Sequence, residues 1–487
     1  MPTDGKRAEI AELCSMSTER ITIAGAGLVG SLLSTMLAKR GYDVTLFERR
    51  GDMRAANMSA GRSINLAMSD RGLRALEVAG LADDIRAIAI PMAGRIMHDV
   101  DGTLTYQPYG KEGQAINSVS RGELNKKLMT LAEESGVRIH FNMKCIDADL
   151  AQKTAMFEQT STGERVVSKA DVLFGADGAF SAIRGRMQTT DRYNYSQNYL
   201  PHDYKELHIP PTAEGGFRLD PHALHIWPRH SYMIIALPNI DGSFTVTLFL
   251  AHEGNGAGDA SFAALQSRDD VQRFFETQFA DLLPHLPTLH EDWQANPASS
   301  LVTVRANPWV ANDTVALIGD AAHAIVPFYG QGMNCGFEDC RVLMDCLDVA
   351  TGDWKGALEL YQAHRVPDGH AIADLALMNF VEMRDKVADA RFLRQKKIEA
   401  FLYERYPTKF VPLYTMVTFR DDIPYSEALR IGAEQDVLMQ ELMADPLIYD
   451  TWTSSEAVEK LDQIMGARAT MSVRPVSPQR SITSRSV

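Results

Sequence analysis

The stretch Ile21-Thr-Ile-Ala-Gly25-Ala-Gly27-Leu-Val-Gly30 decides the fold, because an apolar strand runs directly into GxGxxG and the last glycine already lies inside a helical pattern. Helical periodicity continues from Leu28 to Arg40 and stops at Gly41; Asp43-Val-Thr-Leu-Phe-Glu48 then reads as a second strand. This is one strand-helix-strand unit of a layered α/β domain. Gly25, Gly27 and Gly30 permit a tight turn and a close approach to a pyrophosphate, whose charge sits at the helix N-terminus. Glu48, at the end of the second strand, is placed to accept hydrogen bonds from an adenosine ribose.

Two later segments repeat the strand-turn logic. Ala170-Asp-Val-Leu-Phe-Gly-Ala-Asp177-Gly178 ends a strand on an acidic turn residue, with Arg184 downstream. Val315-Ala-Leu-Ile-Gly319-Asp320 ends another, and Gly330-Gln-Gly332 opens a further helix. Asp320 can accept a hydrogen bond from a ribityl hydroxyl, and the amides after Gly330 and Gly332 suit an electron-rich ring. A simple nicotinamide dehydrogenase has no use for a distant ribityl-binding aspartate, so the pair of signatures points to a flavin dinucleotide.

Helices are expected over Asp70 to Ala79 and Arg121 to Glu134, and strands over Val137 to Asn142 and Ala170 to Gly175. Residues 94–109 and 208–250 have a different texture, with alternating apolar and polar positions punctuated by Pro, Asn and Gly. The expected architecture is therefore α/β. An FAD-binding Rossmann-like domain of the glutathione-reductase type is assembled from 21–90, 113–195 and 305–370. An antiparallel β-sheet substrate domain, 91–112 and 196–304, is inserted into it, and a helical C-terminal part spans 371–465. Residues 1–20 read as an N-terminal extension and 466–487 as a disordered, Ser-rich tail.

Composition narrows the function. The 487 residues carry a formal net charge of -14 with no basic face, which argues against nucleic acid as a partner. Five cysteines, Cys14, Cys145, Cys335, Cys340 and Cys346, form no CxxC pair, so reduced thiols in a cytoplasm are expected and no metal site. The first twenty residues lack a signal-peptide core, and no window reaches the roughly 18 apolar residues of a membrane helix. A cytoplasmic protein without a membrane anchor is expected. Its oligomeric state is left open, a homodimer being one possibility.

The three strand-turn elements, in this order, resemble the aromatic hydroxylase class of flavoprotein monooxygenases. Within that class, Gly61-Arg-Ser-Ile-Asn-Leu-Ala-Met68, Gln107-Pro-Tyr-Gly110, Tyr204-Lys-Glu-Leu207, Ala223-Leu-His-Ile-Trp-Pro228, Ser243-Phe-Thr-Val-Thr-Leu-Phe249, Pro327-Phe-Tyr-Gly-Gln-Gly-Met-Asn334 and Met416-Val-Thr-Phe419 resemble the kynurenine 3-monooxygenase family. The resemblance runs from residue 21 to about 430. It implies tightly bound FAD, NADPH as transient co-substrate, and hydroxylation of L-kynurenine by O2 to 3-hydroxy-L-kynurenine through a flavin hydroperoxide, in tryptophan degradation and NAD biosynthesis.

By the same resemblance Arg95 and Tyr109 hold the substrate carboxylate, with Asn379 and Tyr414 completing the grip. A guanidinium fork suits that carboxylate. Leu28, Arg49, Ala67, Arg121, Cys145, Met333 and Asn334 join the flavin site. Trp227, Phe244, Phe328 and Tyr329 are candidates for the wall around the aromatic ring. Tyr329 stands where relatives carry Phe or His, and His323 reads as structural. The chain offers no nucleophile-base pair, in keeping with chemistry carried by a cofactor. Two rival readings remain: a related monooxygenase acting on another aromatic acid, and a flavin-binding interaction protein without turnover.

Overall fold

A computed structural model describes residues 19–55, 65–110, 113–254, 259–385 and 389–471. The N-terminal extension up to residue 18, the Gly61 to Ile64 part of one motif and the tail from 472 lie outside the described residues. Residues 466–471 are described, and the helix Ser455–Ala467 runs into them.

A six-stranded sheet holds the three glycine turns together. Its order is Val310–Ala311, Val315–Leu317, Val172–Gly175, Arg20–Ala24, Asp43–Phe47 and Arg138–His140, parallel except at the Val310 edge. Parallel strands buried on both faces need near-continuous apolar runs, and Ile21, Ile23, Val44, Leu46, Val172, Leu173 and Leu317 are all buried. Because the central strands are parallel, the turns after Ala24, Gly175 and Leu317 emerge side by side along one end of the sheet. Strand order reverses there, and the crevice at such a switch point is where α/β sheets take ligands.

The β-rich segments form a seven-stranded sheet ordered Ser299–Asn307, Asn194–Ile209, Phe244–Ala251, Tyr232–Pro238, Ala223–Arg229, Gly94–His98 and Leu104–Pro108. It is not wholly antiparallel as expected: Ala223–Arg229 pairs with Gly94–His98 in parallel, Leu224 opposite Arg95. The chain leaves the sheet after Pro108 and re-enters from another domain, so no hairpin dictates the direction of that pair.

Alternation along these strands gives the sheet two apolar faces. Ile226, Met233 and Phe249 turn toward the C-terminal helices, while Trp227, Ile234 and Phe244 pack under Phe274, Phe275 and Phe279. The C-terminal helices pack on the first face and on the nucleotide domain. One of them, Trp354–Asp385, runs through the expected boundary at 370 with Pro367 inside it. Beside it, the short helix Leu413–Phe419 lies next to the helix Tyr425–Ala444.

Candidate functional site

A single cavity joins the nucleotide domain, the seven-stranded sheet and the C-terminal helices, with about 1660 Å³ of free space including its open mouth. One end is made by glycine turns and helix N-termini, the other by aromatic and aliphatic side chains.

At the first end, Gly25 has φ +103° and an added Cβ would stand 2.4 Å from the Ala176 carbonyl oxygen, so the turn depends on glycine for its own packing. Gly30 backs onto the Gly25 carbonyl in the same way. Gly27 differs: it lines the cavity, and a Cβ there would meet no protein atom within 4 Å. That opening sits at the N-terminus of the helix Leu28–Lys39, where amides without helical partners face the cavity. A dinucleotide pyrophosphate fits this cradle in size and sign. Leu28, Ala67, Arg121, Asp320 and Met333 line the same cavity. Met333 lies in the first turn of the 18-residue helix Gly332–Val349, whose N-terminus also points there.

The remaining expected flavin residues stand back from the cavity wall. Glu48 is buried; its carboxylate accepts from the Ala26 amide at 3.0 Å and from Arg50 Nε at 2.7 Å. Arg50, not the exposed Arg49, is thus the cation on Glu48, because Arg50 folds back two residues along the chain. Asp177 accepts from the Ala182 amide at 2.7 Å, while its other oxygen is buried without a partner. Burial pushes its carboxyl pKa upward. Cys145 lies opposite Phe157 in a neighbouring sheet, its thiol pushed well up by burial and by the nearby Asp177.

The Asn334 side chain is fully buried. It donates to the Ala67 and Gly330 carbonyls at 2.9 and 2.8 Å and accepts from the Ser69 amide at 3.0 Å. The side chain therefore ties the strand Leu66–Met68 to the loop before the helix Gly332–Val349, holding both on the cavity wall.

At the second end, Arg95, Tyr109, Asn379 and Tyr414 meet although they come from three separate parts of the chain. The Tyr109, Tyr414 and Tyr329 rings form a stack with Tyr414 in the middle, 5.6 Å from each neighbour. The Arg95 guanidinium lies 5.5 Å from the centres of both Tyr109 and Tyr414. Arg95 has no carboxylate partner among the described residues, and its buried Nε is unpaired. The Tyr109 hydroxyl and Thr418 Oγ1 are also buried and unpaired. Buried donors of this kind cost about 1–3 kcal/mol each unless a ligand or water meets them.

Burial raises the pKa of Tyr109, Tyr329 and Tyr414, with Arg95 opposing, so the phenols remain neutral donors. Asn379 donates to the Phe328 carbonyl at 2.8 Å. Between the two ends, Leu224, Ile226, Met233, Ile235, Leu237 and Phe249 form an apolar wall. Phe328 and Tyr329 line the cavity as expected for the ring wall, but Trp227 and Phe244 do not. A strand alternates faces with period two, so Ile226 faces the cavity and Trp227 the opposite core.

Thr418 and Gln331 also line the cavity; both lie inside segments that carry the resemblance, but neither residue type marks a site on its own. Thr418 follows Tyr414 by one helical turn, a spacing that marks a shared face only once the helix Leu413–Phe419 is known.

His323 is buried and bonded to Asp339, with Cys335 nearby, a trio whose ligand atoms are close enough for a metal. The Arg365 guanidinium donates to both Asp339 and Cys335, so the carboxylate is already shared between two cationic groups. A divalent ion would have to displace that guanidinium.

A family profile described as an FAD binding domain matches residues 18–376. The kynurenine 3-monooxygenase of Flavobacterium psychrophilum is 48% identical over 451 residues, covering 93% of this chain and 99% of the relative. That of Myxococcus xanthus is 47% identical over 426 residues, covering 87% and 90%. Among solved structures, the tetrameric form of 2-methyl-3-hydroxypyridine-5-carboxylic acid oxygenase matches with TM-score 0.63 at 21% identity, covering 81% of this chain and 99% of that one. P. aeruginosa PqsL in complex with 2-aminobenzoylacetate matches with TM-score 0.60 at 19% identity, over 76% and 97%.

Proposed function

The chain belongs to the kynurenine 3-monooxygenase family of FAD-dependent monooxygenases, and from that premise we propose that it hydroxylates L-kynurenine to 3-hydroxy-L-kynurenine at the cavity described above. One observation carries the residue assignment: among the described residues, the Nε of Arg95 and the hydroxyls of Tyr109 and Thr418 are buried without partners and converge at the apolar end of a cavity whose other end is a glycine-turn cradle. A ligand that satisfies them needs an anionic head and a flat apolar body. An aromatic amino acid has both.

In this reading Arg95 and Tyr109 take the α-carboxylate. Tyr414 and Asn379 hold the amino-acid end in place, and the wall from Leu224 to Phe249 receives the aromatic ring. Gly25, Gly27, Leu28 and Gly30 take the pyrophosphate, Glu48 and Arg49 the adenosine side with Cys145 behind it, and Arg121 and Asp177 the central part. Ala67, Asp320, Met333 and Asn334 serve the ribityl and ring end. FAD supplies the redox chemistry when bound, accepting hydride from NADPH and activating O2.

The protein orients and shields. The apolar wall excludes water from the reacting ring, and the buried neutral phenols supply hydrogen-bond donors without a competing base. An aromatic carbon ortho to an amine is already electron-rich, so the pocket needs no general base to activate it. The expected division into nucleotide, sheet and helical parts, with the cavity at their junction, belongs to the same proposal. No described helix is long and apolar enough to cross a membrane, and cytoplasmic residence is proposed with it.

The experiment is NADPH consumption by the FAD-loaded protein with and without L-kynurenine, the product identified by mass spectrometry. Stimulated consumption yielding 3-hydroxy-L-kynurenine is expected. Stimulation by a hydroxybenzoate instead would move the substrate to another aromatic acid. A protein that holds FAD but never reduces it would overturn the enzyme reading.

A further inference from the structure

Arg71 is a fully buried arginine that no part of the reaction uses. It sits in the first turn of the helix Asp70–Ala79, directly after the strand Leu66–Met68 whose Leu66 and Ala67 line the flavin end of the cavity. Its guanidinium points away from that end, toward the C-terminal helices. Nε donates to the Val417 carbonyl at 2.7 Å, and Nη2 donates to the carbonyls of Met416 at 3.2 Å, Arg420 at 3.0 Å and Ile423. Nη1 donates to Glu338 at 2.9 Å, on the helix Gly332–Val349 whose N-terminus faces the cavity. The guanidinium also lies 4.0 Å from the centre of the Tyr425 ring, whose hydroxyl donates to Gln331 on the cavity wall at 2.9 Å.

The four carbonyls belong to the end of the helix Leu413–Phe419 and the turn after it. A helix leaves its last carbonyls without partners, and a cation placed there satisfies them and complements the helix dipole. That short helix carries Tyr414 and Thr418, two side chains of the carboxylate-facing end of the cavity. One side chain rooted beside the flavin wall thus closes the helix that presents the substrate wall. A lysine could not reproduce it, because a point ammonium has three donors and no planar fork.

We infer that Arg71 is a positioning residue that sets substrate affinity by docking the helix Leu413–Phe419 against the flavin-side strand. The inference rests on the functional reading given above for the identity of the substrate. Its physical core, that Arg71 fixes the placement of Tyr414 and Thr418, does not depend on it.

The test compares wild type, Arg71→Lys and Arg71→Met as FAD-loaded full chains. Two readouts are taken: amide hydrogen exchange without substrate, and steady-state kinetics with L-kynurenine. The expected result is exchange at least tenfold faster across 413–423 with the helix Leu28–Lys39 unchanged. FAD stoichiometry stays near one, KM rises at least tenfold and kcat stays within threefold. Arg71→Lys should recover only part of both effects. If Arg71→Met does not fold, Arg71→Lys decides alone.

Unchanged exchange over 413–423 overturns the docking role. Faster exchange with unchanged KM overturns the link to affinity and leaves Arg71 as a structural buttress. A wild type that ignores L-kynurenine counts against the substrate reading, and the exchange result then judges the docking role on its own.

Discussion

The two ends of the cavity are built from different materials. The flavin end is mostly backbone: glycine turns at the ends of parallel strands and two helix N-termini, placed by sheet topology. The substrate end is mostly side chain: Arg95, three stacked tyrosines, Asn379 and an aliphatic wall, drawn from a sheet and from helices distant in sequence. Backbone sites tolerate variation at almost every side chain except the glycines that let chain meet chain. Side-chain sites depend on each contributor and on whatever holds it there. Mutations at the first end should therefore cost cofactor or fold, and at the second end affinity.

The sharpest way to break that contrast is Gly25→Val. The added side chain would strike the Ala176 carbonyl from a backbone at φ +103°, a close approach that cannot relax without moving the parallel sheet. A loss of more than about 4 kcal/mol is expected, seen as insoluble or FAD-free protein. Normal flavin absorbance in this variant would remove the argument that the turn depends on glycine.

Asn334→Ala comes next, since it strips three hydrogen bonds from a fully buried amide and leaves the Ser69 amide and the Ala67 and Gly330 carbonyls exposed to an empty space. About 3 kcal/mol of stability should disappear, measured by thermal unfolding, with FAD affinity falling alongside. If only stability falls, Asn334 supports the fold rather than the flavin loop.

Arg95→Ala tests the other end. Removing a charge-assisted carboxylate contact should cost about 1.5–3 kcal/mol, roughly a 10- to 100-fold rise in KM for L-kynurenine, with FAD still bound. Loss of FAD would place Arg95 at the wrong end of the cavity.

The smallest effect is electrostatic. Asp70, beside Arg71, has its pKa raised to about 6 by burial, with Asp421 and Glu77 adding to it. A carboxyl whose folded pKa lies above its unfolded value contributes stability that is fully present below about pH 4 and is lost as pH rises through about 6. After allowance for solvent screening of a part-exposed group, Asp70→Asn should be about 1–2 kcal/mol more stable than wild type at pH 7.5. The two should match near pH 4. A pH-independent difference between them would sink the assignment to Asp70.

The same contrast decides how much could be read from the chain. Strand, glycine turn and helix are local, so the boundaries at Leu28, Asp70 and Arg121 coincide with the helices observed. The pocket was legible only through resemblance. Arg95, Asn379 and Tyr414 look individually like an ordinary strand arginine, a surface asparagine and a core tyrosine. Trp227 and Phe244 show the limit of reading aromatics from composition, since one step along a strand moves a side chain from the cavity to the opposite core. Arg71, at the start of a correctly expected helix, carried no sequence signal at all. Its four carbonyl partners lie some 350 positions away.

The sequence by itself therefore determined the strand-helix-strand unit, the three turns suited to a dinucleotide and the helices that start at Leu28, Asp70 and Arg121, because each rests on periodicity and glycine chemistry within a few neighbouring residues. Only the tertiary structure decided that three parts of the chain share one cavity, which face of the seven-stranded sheet lines it, and that Arg71 rather than any local cap closes the helix carrying Tyr414. Those outcomes depend on packing between segments with no covalent proximity, and no local propensity encodes which segment will supply the partner.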